Sequence, residues 1–152
     1  MSKLLIKMNK DILKSDSDVP QILRMDGVSS VVLDQCNRES VRLQDLIAKY
    51  GTDSSWSHTV VNSKSNSATL ICQKPGEGNR RHYHPDWDEW WYIVLGTWVW
   101  EIEGVEREIS EGELIFIERN KVHKITARGK EAAIRLAVSR YDVVHVYTEK
   151  DY

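Results

Sequence analysis

The apolar residues of this chain change their rhythm near residue 68. Before that point the clearest period is helical. In RESVRLQDLIAKY, residues 38–50, Leu43, Leu46, Ile47 and Tyr50 follow the i, i+3, i+4, i+7 rule and predict an amphipathic helix. Asn37 or Ser40 can cap its start, and Gly51 stands where a helix would stop. Residues 1–36 mix short apolar groups with turn formers. They predict a segment wrapped on a larger body, with an edge strand at 29–33. Residues 53–67, DSSWSHTVVNSKSNS, are polar and read as a solvent-exposed loop with one short strand around Thr59–Val61.

From residue 68 onward the chain breaks into short segments rich in β-branched and aromatic residues: ATLICQ, WWYIVLG, TWVWEIEG, ELIFIE, HKITA, AAIRLAVS and DVVHVYT. Gly, Asn and charged turns such as PGEGN, SEGE and ERNK separate them. Short strands at regular spacing predict an all-β sandwich or barrel. The expected division is therefore an extension over 1–65, carrying the helix, and a β-barrel over 66–152.

Composition narrows the partners. With 152 residues, 41% hydrophobic and 29% charged, the chain suits one ordinary soluble domain. A formal charge of −2, with Arg80-Arg81 as the only central basic doublet, gives no reason to expect a nucleic-acid surface. No window approaches the ~18–20 apolar residues of a membrane span. The amino terminus, MSKLLIKMNKDILK, lacks the apolar core of a secretory signal, so a cytoplasmic protein with Cys36 and Cys72 as free thiols is expected.

The chemistry concentrates in RHYHPDWDEWW, residues 81–91. Residues i and i+2 of a strand share a face, so His82 and His84 project together while Tyr83 points away. Paired imidazoles suit zinc, copper, iron or nickel. Glu89 can fold back to offer a carboxylate, and His123, after the turn ERNK, can close the site as a third imidazole.

Gly76, five residues, His82-Tyr83-His84, four residues, Glu89, six residues and Gly96 together resemble the first motif of the cupin superfamily, with every spacing matched. A second stretch beginning at Gly112 is similar to the second cupin motif. There Glu118 stands for the usual proline, Asn120 for glycine and Ala127 for asparagine, while His123 falls on the expected histidine. Asn is the non-glycine residue best suited to the left-handed backbone that position needs. The resemblance covers roughly residues 66–140. It implies a jelly-roll barrel in which His82, His84, Glu89 and His123 bind one divalent metal. Fe(II) is the family's most frequent catalytic metal, with Mn, Ni, Zn and Cu also found. It also implies a homodimer paired through an edge strand.

Around that centre, Trp91 shares parity with Glu89 and should face the interior, shaping a substrate pocket to which Arg135 and Arg80 are the other candidates, whereas Trp90 and Tyr92 should face outward. Trp98 and Trp100 alternate with Val99 and Glu101 in the same way. Arg135 interrupts an apolar strand, where a lone arginine commonly lies on the solvent face. If inward, it and Arg80, which shares parity with His82, would favour an acidic substrate. His58 and His145 lie outside both motifs and read as ordinary polar residues. The expected function is a metal-dependent enzyme on a small polar or acidic molecule, an Fe(II) oxygenase or oxidase first. A redox-neutral lyase or isomerase is the second reading, and a non-catalytic metal-stabilised binding or sensor module the third.

Overall fold

The computed structural model of the chain describes residues 29–30, 36–140 and 144–148. Its strands are β1 (Ser29–Ser30), β2 (Trp56–Asn62), β3 (Ser67–Gln73), β4 (His82–Tyr83), β5 (Glu89–Leu95), β6 (Thr97–Ile102), β7 (Val105–Ser110), β8 (Leu114–Ile117), β9 (His123–Arg128), β10 (Ala133–Ser139) and β11 (Val146–Tyr147). The helix α1 spans Leu43–Tyr50. One sheet has the order β1-β2-β3-β10-β5-β8, the other β11-β4-β9-β6-β7. All pairings are antiparallel except β1 with β2.

Two-residue alternation builds the core. Ile71, Trp91, Ile93, Ile115 and Ile117 of the first sheet meet Trp98, Trp100, Ile109, Ile125 and Ala127 of the second. Trp98 and Trp100 are buried, while Glu101 on the other face takes Arg81 through both carboxylate oxygens. The predicted Trp90–Trp91 parity holds: Trp91 is 4% exposed and Trp90 38%. On the outer side of the first sheet, Trp56, Leu70, Cys72 and Ile134 pack against Leu43, Leu46, Ile47 and Tyr50 of α1. The predicted helical stripe therefore covers one face of the sheet.

Several expectations shift. The helix starts at Leu43 rather than 38, behind Arg42, which makes no side-chain cap bond. Gly51 ends it as expected, its N–H donating to Ile47 C=O at 2.8 Å. Asn37 serves the sheet instead of the helix: at φ 61°, its amide donates to Asn62 C=O at 2.7 Å and its oxygen accepts from Asn62 N–H at 2.8 Å. The segment read as an exposed loop around Trp56 and His58 is a buried strand, with both side chains 3% exposed. The cause is α1. Tyr50 packs tilted against Trp56, with ring centroids 5.0 Å apart, and its hydroxyl bonds His58 Nδ1 at 3.1 Å.

The strand β7 was not anticipated, because VEREIS buries only Ile109. Such charged composition suits a sheet edge, where exposed backbone must not recruit another strand. The edge strand expected at 29–33 is seen as β1; residues 31–33 lie outside the described residues. Cys36 and Cys72 are both free.

These opposite burials generate a stability test. Trp91→Ala should cost about 3–5 kcal/mol in urea unfolding, and Trp90→Ala about 1 kcal/mol or less. A larger loss at Trp90 would place the interior on the other face of β5.

Candidate metal centre

His82 lies in β4, His84 just after it, Glu89 opens β5 and His123 opens β9, in register with His82. All four are buried, at 2%, 1%, 4% and 1% exposure. One ligand atom from each lies within 4.8 Å of all the others. Asn120, at φ 63°, fixes the two halves together: its N–H donates to His84 C=O at 2.7 Å. The missing proline at Glu118 leaves the turn intact, since Lys121 N–H still reaches Glu118 C=O at 3.2 Å. The Glu118 side chain is exposed.

Hydrogen bonding fixes the chemistry of the rings. Nδ1 of His82 lies 2.6 Å from Arg80 C=O, that of His84 2.7 Å from Val144 C=O, and that of His123 2.8 Å from Lys121 C=O. A carbonyl only accepts, so each Nδ1 carries a proton and donates, leaving the neutral ring's Nε2 with a bare lone pair. Glu89 Oε2 then lies 3.1 Å from Nε2 of both His84 and His123. Acceptors so close repel unless a cation lies among them. Protons could separate them only by creating two imidazolium ions with ring centroids 5.3 Å apart in a buried site. His82 Nε2 is likewise buried without a hydrogen-bond partner. The residues fit a divalent metal: three neutral imidazoles and a carboxylate, each ring held by a carbonyl behind it.

The electrostatics agree. Burial, with the charges of His123, His145 and His84 added, holds His82 well below the usual histidine value of 6.5. Burial alone would raise Glu89, but the positive charge that His84 and His123 carry only in their protonated forms outweighs it and holds the carboxyl well below its usual value. With the rings neutral, the carboxylate therefore calls for the cation that a metal supplies.

Aromatic rings form the wall. Trp100 lies parallel to His123, with centroids 6.2 Å apart, and Trp91 meets Trp100 edge-on at 5.5 Å. Arg135 does not lie on the solvent face. It is fully buried, its guanidinium 4.6 Å from the Trp91 ring and 4.5 Å from the Trp98 ring, donating to Gln73 Oε1. Arg80 is half-buried and stacks at 3.9 Å on Tyr147. His58 stays with Tyr50 beside α1 and does not join the cluster.

His145, which sequence reasoning passed over, does approach it. Its ring centroid lies 4.8 Å from His82 and 4.6 Å from His84. Burial, then the His84 charge, lowers it to about 3. No local spacing announces it. The signal is the pairing of β11 with β4, which a sequence does not display.

Residues 69–139 match the family model described as Cupin domain. The tetracenomycin polyketide synthase protein TcmJ of Streptomyces glaucescens is 34% identical over 80 residues, covering 49% of this chain and 54% of that protein. The chain thus spans about half the length of that curated relative. The polyketide cyclase RemF from Streptomyces resistomycificus superposes with a TM-score of 0.58 at 18% identity, covering 66% of this chain and 75% of RemF. A conserved protein with a double-stranded β-helix domain from Klebsiella pneumoniae gives 0.61 at 16%, covering 75% and 100%. At such identities the two structures establish the fold alone. Among the described residues no helix is long and apolar enough to cross a membrane.

The histidines generate a pH prediction for the metal-free chain. Folded, His82 titrates well below 6.5 and His145 near about 3. Unfolded, each takes a proton near ~6.5. Their contribution is fully present above that value. It is lost as pH falls from there toward the folded values, because only the unfolded chain binds the protons. Each group adds a slope of up to about 1.4 kcal/mol per pH unit. Urea melts of EDTA-treated protein should therefore weaken steadily from about pH 7 to about pH 4. A flat profile would mean that the buried rings carry charge in the fold.

Proposed function

The chain carries a single small cupin domain over residues 69–139, and on that premise we propose that it is a metal-dependent enzyme acting on a small polar or acidic molecule. The observation that supports this best is the convergence of three tautomer-fixed Nε2 lone pairs on the buried Glu89 carboxylate. A divalent ion held there supplies Lewis-acid polarisation of a substrate oxygen and, if it is Fe(II), dioxygen chemistry.

The chain's own residues do the rest. His82, His84 and His123 hold the ion with neutral nitrogens, and Glu89 reduces the site's charge to +1. Four protein donors leave coordination positions open for a substrate. Trp91 and Trp100 keep water from the inner wall, which strengthens every charge interaction inside. Arg135, behind Trp91, makes that wall electropositive and favours an acidic substrate.

An Fe(II) oxygenase or oxidase is the first form of the proposal. The relative named as a polyketide synthase protein favours a second, redox-neutral form. A polyketide cyclisation consumes no oxidant and needs only polarised carbonyls, which any of the candidate divalent ions supplies. The proposal includes a homodimer. Trp90 and Tyr92 of β5 lie beside Phe116 and Leu114 of the edge strand β8, and all four are exposed.

Protein purified without a histidine tag should carry about one divalent ion per chain by elemental analysis, and His82→Ala should bind it at least ~100-fold more weakly. Equal metal in wild type and His82→Ala would end the metal-centre reading. Oxygen uptake with the substrate separates the oxygenase from the redox-neutral enzyme. Metal binding without turnover of any polar, acidic or polycarbonyl substrate would leave a binding module.

A further inference from the structure

His145 lies outside the four-residue cluster and beyond the region matched to the family. Yet its ring sits 4.8 Å from His82 and 4.6 Å from His84, as close as the cluster rings lie to one another, at 4.9, 4.3 and 5.3 Å. Glu89 closes one side of the cluster, with Oε2 3.1 Å from His84 and from His123. His145 covers another side, the one shared by His82 and His84.

Its position is fixed from both directions along the chain. On one side, Val144 C=O accepts the His84 Nδ1–H at 2.7 Å. On the other, Val146 and Tyr147 pair with Tyr83 and His82, and Thr148 N–H donates to Arg81 C=O at 3.2 Å. Tyr147 stacks on the His145 ring at 6.2 Å and is itself covered by Arg80 at 3.9 Å. The ring's Nδ1 is buried, as the four cluster residues are. The ring therefore stands beside the cluster, against both His82 and His84.

We propose that His145 is a specificity-determining residue that hydrogen-bonds a molecule bound at the metal's open position, on the side shared by His82 and His84. The inference rests on the metal-centre reading above. An imidazole offers one donor and one acceptor, so the favoured ligand has an anionic or hydroxyl oxygen, or an anionic nitrogen, next to the atom that meets the metal.

The test uses the full chain, stripped with EDTA and reloaded with Co(II), and azide as the probe, read by the visible absorption of the cobalt. Wild type, His145→Phe and His145→Gln should each bind one Co(II) with the same affinity. Azide should bind His145→Phe about tenfold more weakly, the loss of one hydrogen bond, and His145→Gln should recover most of the difference. Unchanged azide affinity in His145→Phe would overturn the proposal. So would a loss of Co(II) affinity in both variants, which would make His145 part of the metal cup itself.

A second measurement does not depend on the variants folding. In Zn(II)-loaded wild type, azide should shift the His145 imidazole resonances and leave those of His58 in place. Equal responses from the two would also refute the proposal. Failure of wild type to bind Co(II) would remove the metal centre, and this inference with it, and is distinct from failure of the azide step alone.

Discussion

Three main-chain carbonyls determine what this barrel can hold. By accepting the Nδ1 protons of His82, His84 and His123, they turn three Nε2 lone pairs inward on a buried carboxylate. Two of these carbonyls are local, from Arg80 and Lys121, each two residues before its histidine. The third, Val144, comes from the far end of the described chain. The arrangement requires β4, β9 and β11 to lie side by side, which the pairing of His82 with His123 and with Tyr147 provides. In a buried site such crowding of acceptors is unfavourable without a cation. The strands thus maintain a buried cluster whose polarity is complementary to a positive ion.

How much of this was legible depends on how local each signal is. The spacing from Gly76 through Gly96 and the return of a histidine at 123 were enough to gather the cluster. Strand alternation correctly sent Trp91 inward and Trp90 outward. What stayed hidden depended on contacts between distant segments. Trp56 and His58 sit in a polar stretch and are buried only because α1 lies over them. Strand β7 is too charged to read as β, since an edge has little apolar face to show. Arg135 looked like a surface residue because its two indole neighbours come from β5 and β6.

Arg135 also shows how this core tolerates a charge. A guanidinium between two rings exchanges water for two quadrupoles, each interaction worth about 2 kcal/mol or more when desolvated. The Gln73 amide oxygen takes one of its protons. Arginine suits that slot better than lysine, because a flat, weakly hydrated ion can lie between planes while an ammonium cannot.

Val144 also bears on the order in which the protein is assembled. It follows His84 by 60 residues, so its carbonyl leaves the ribosome well after the ring it orients. At about 5–20 residues per second, that interval is about 3–12 seconds of synthesis. Through it, His84 exists as nascent chain without the acceptor that sets its tautomer, and His123 is added only partway. The His84 tautomer is therefore set only once Val144 has been made, long after the histidine pair that opens the cluster.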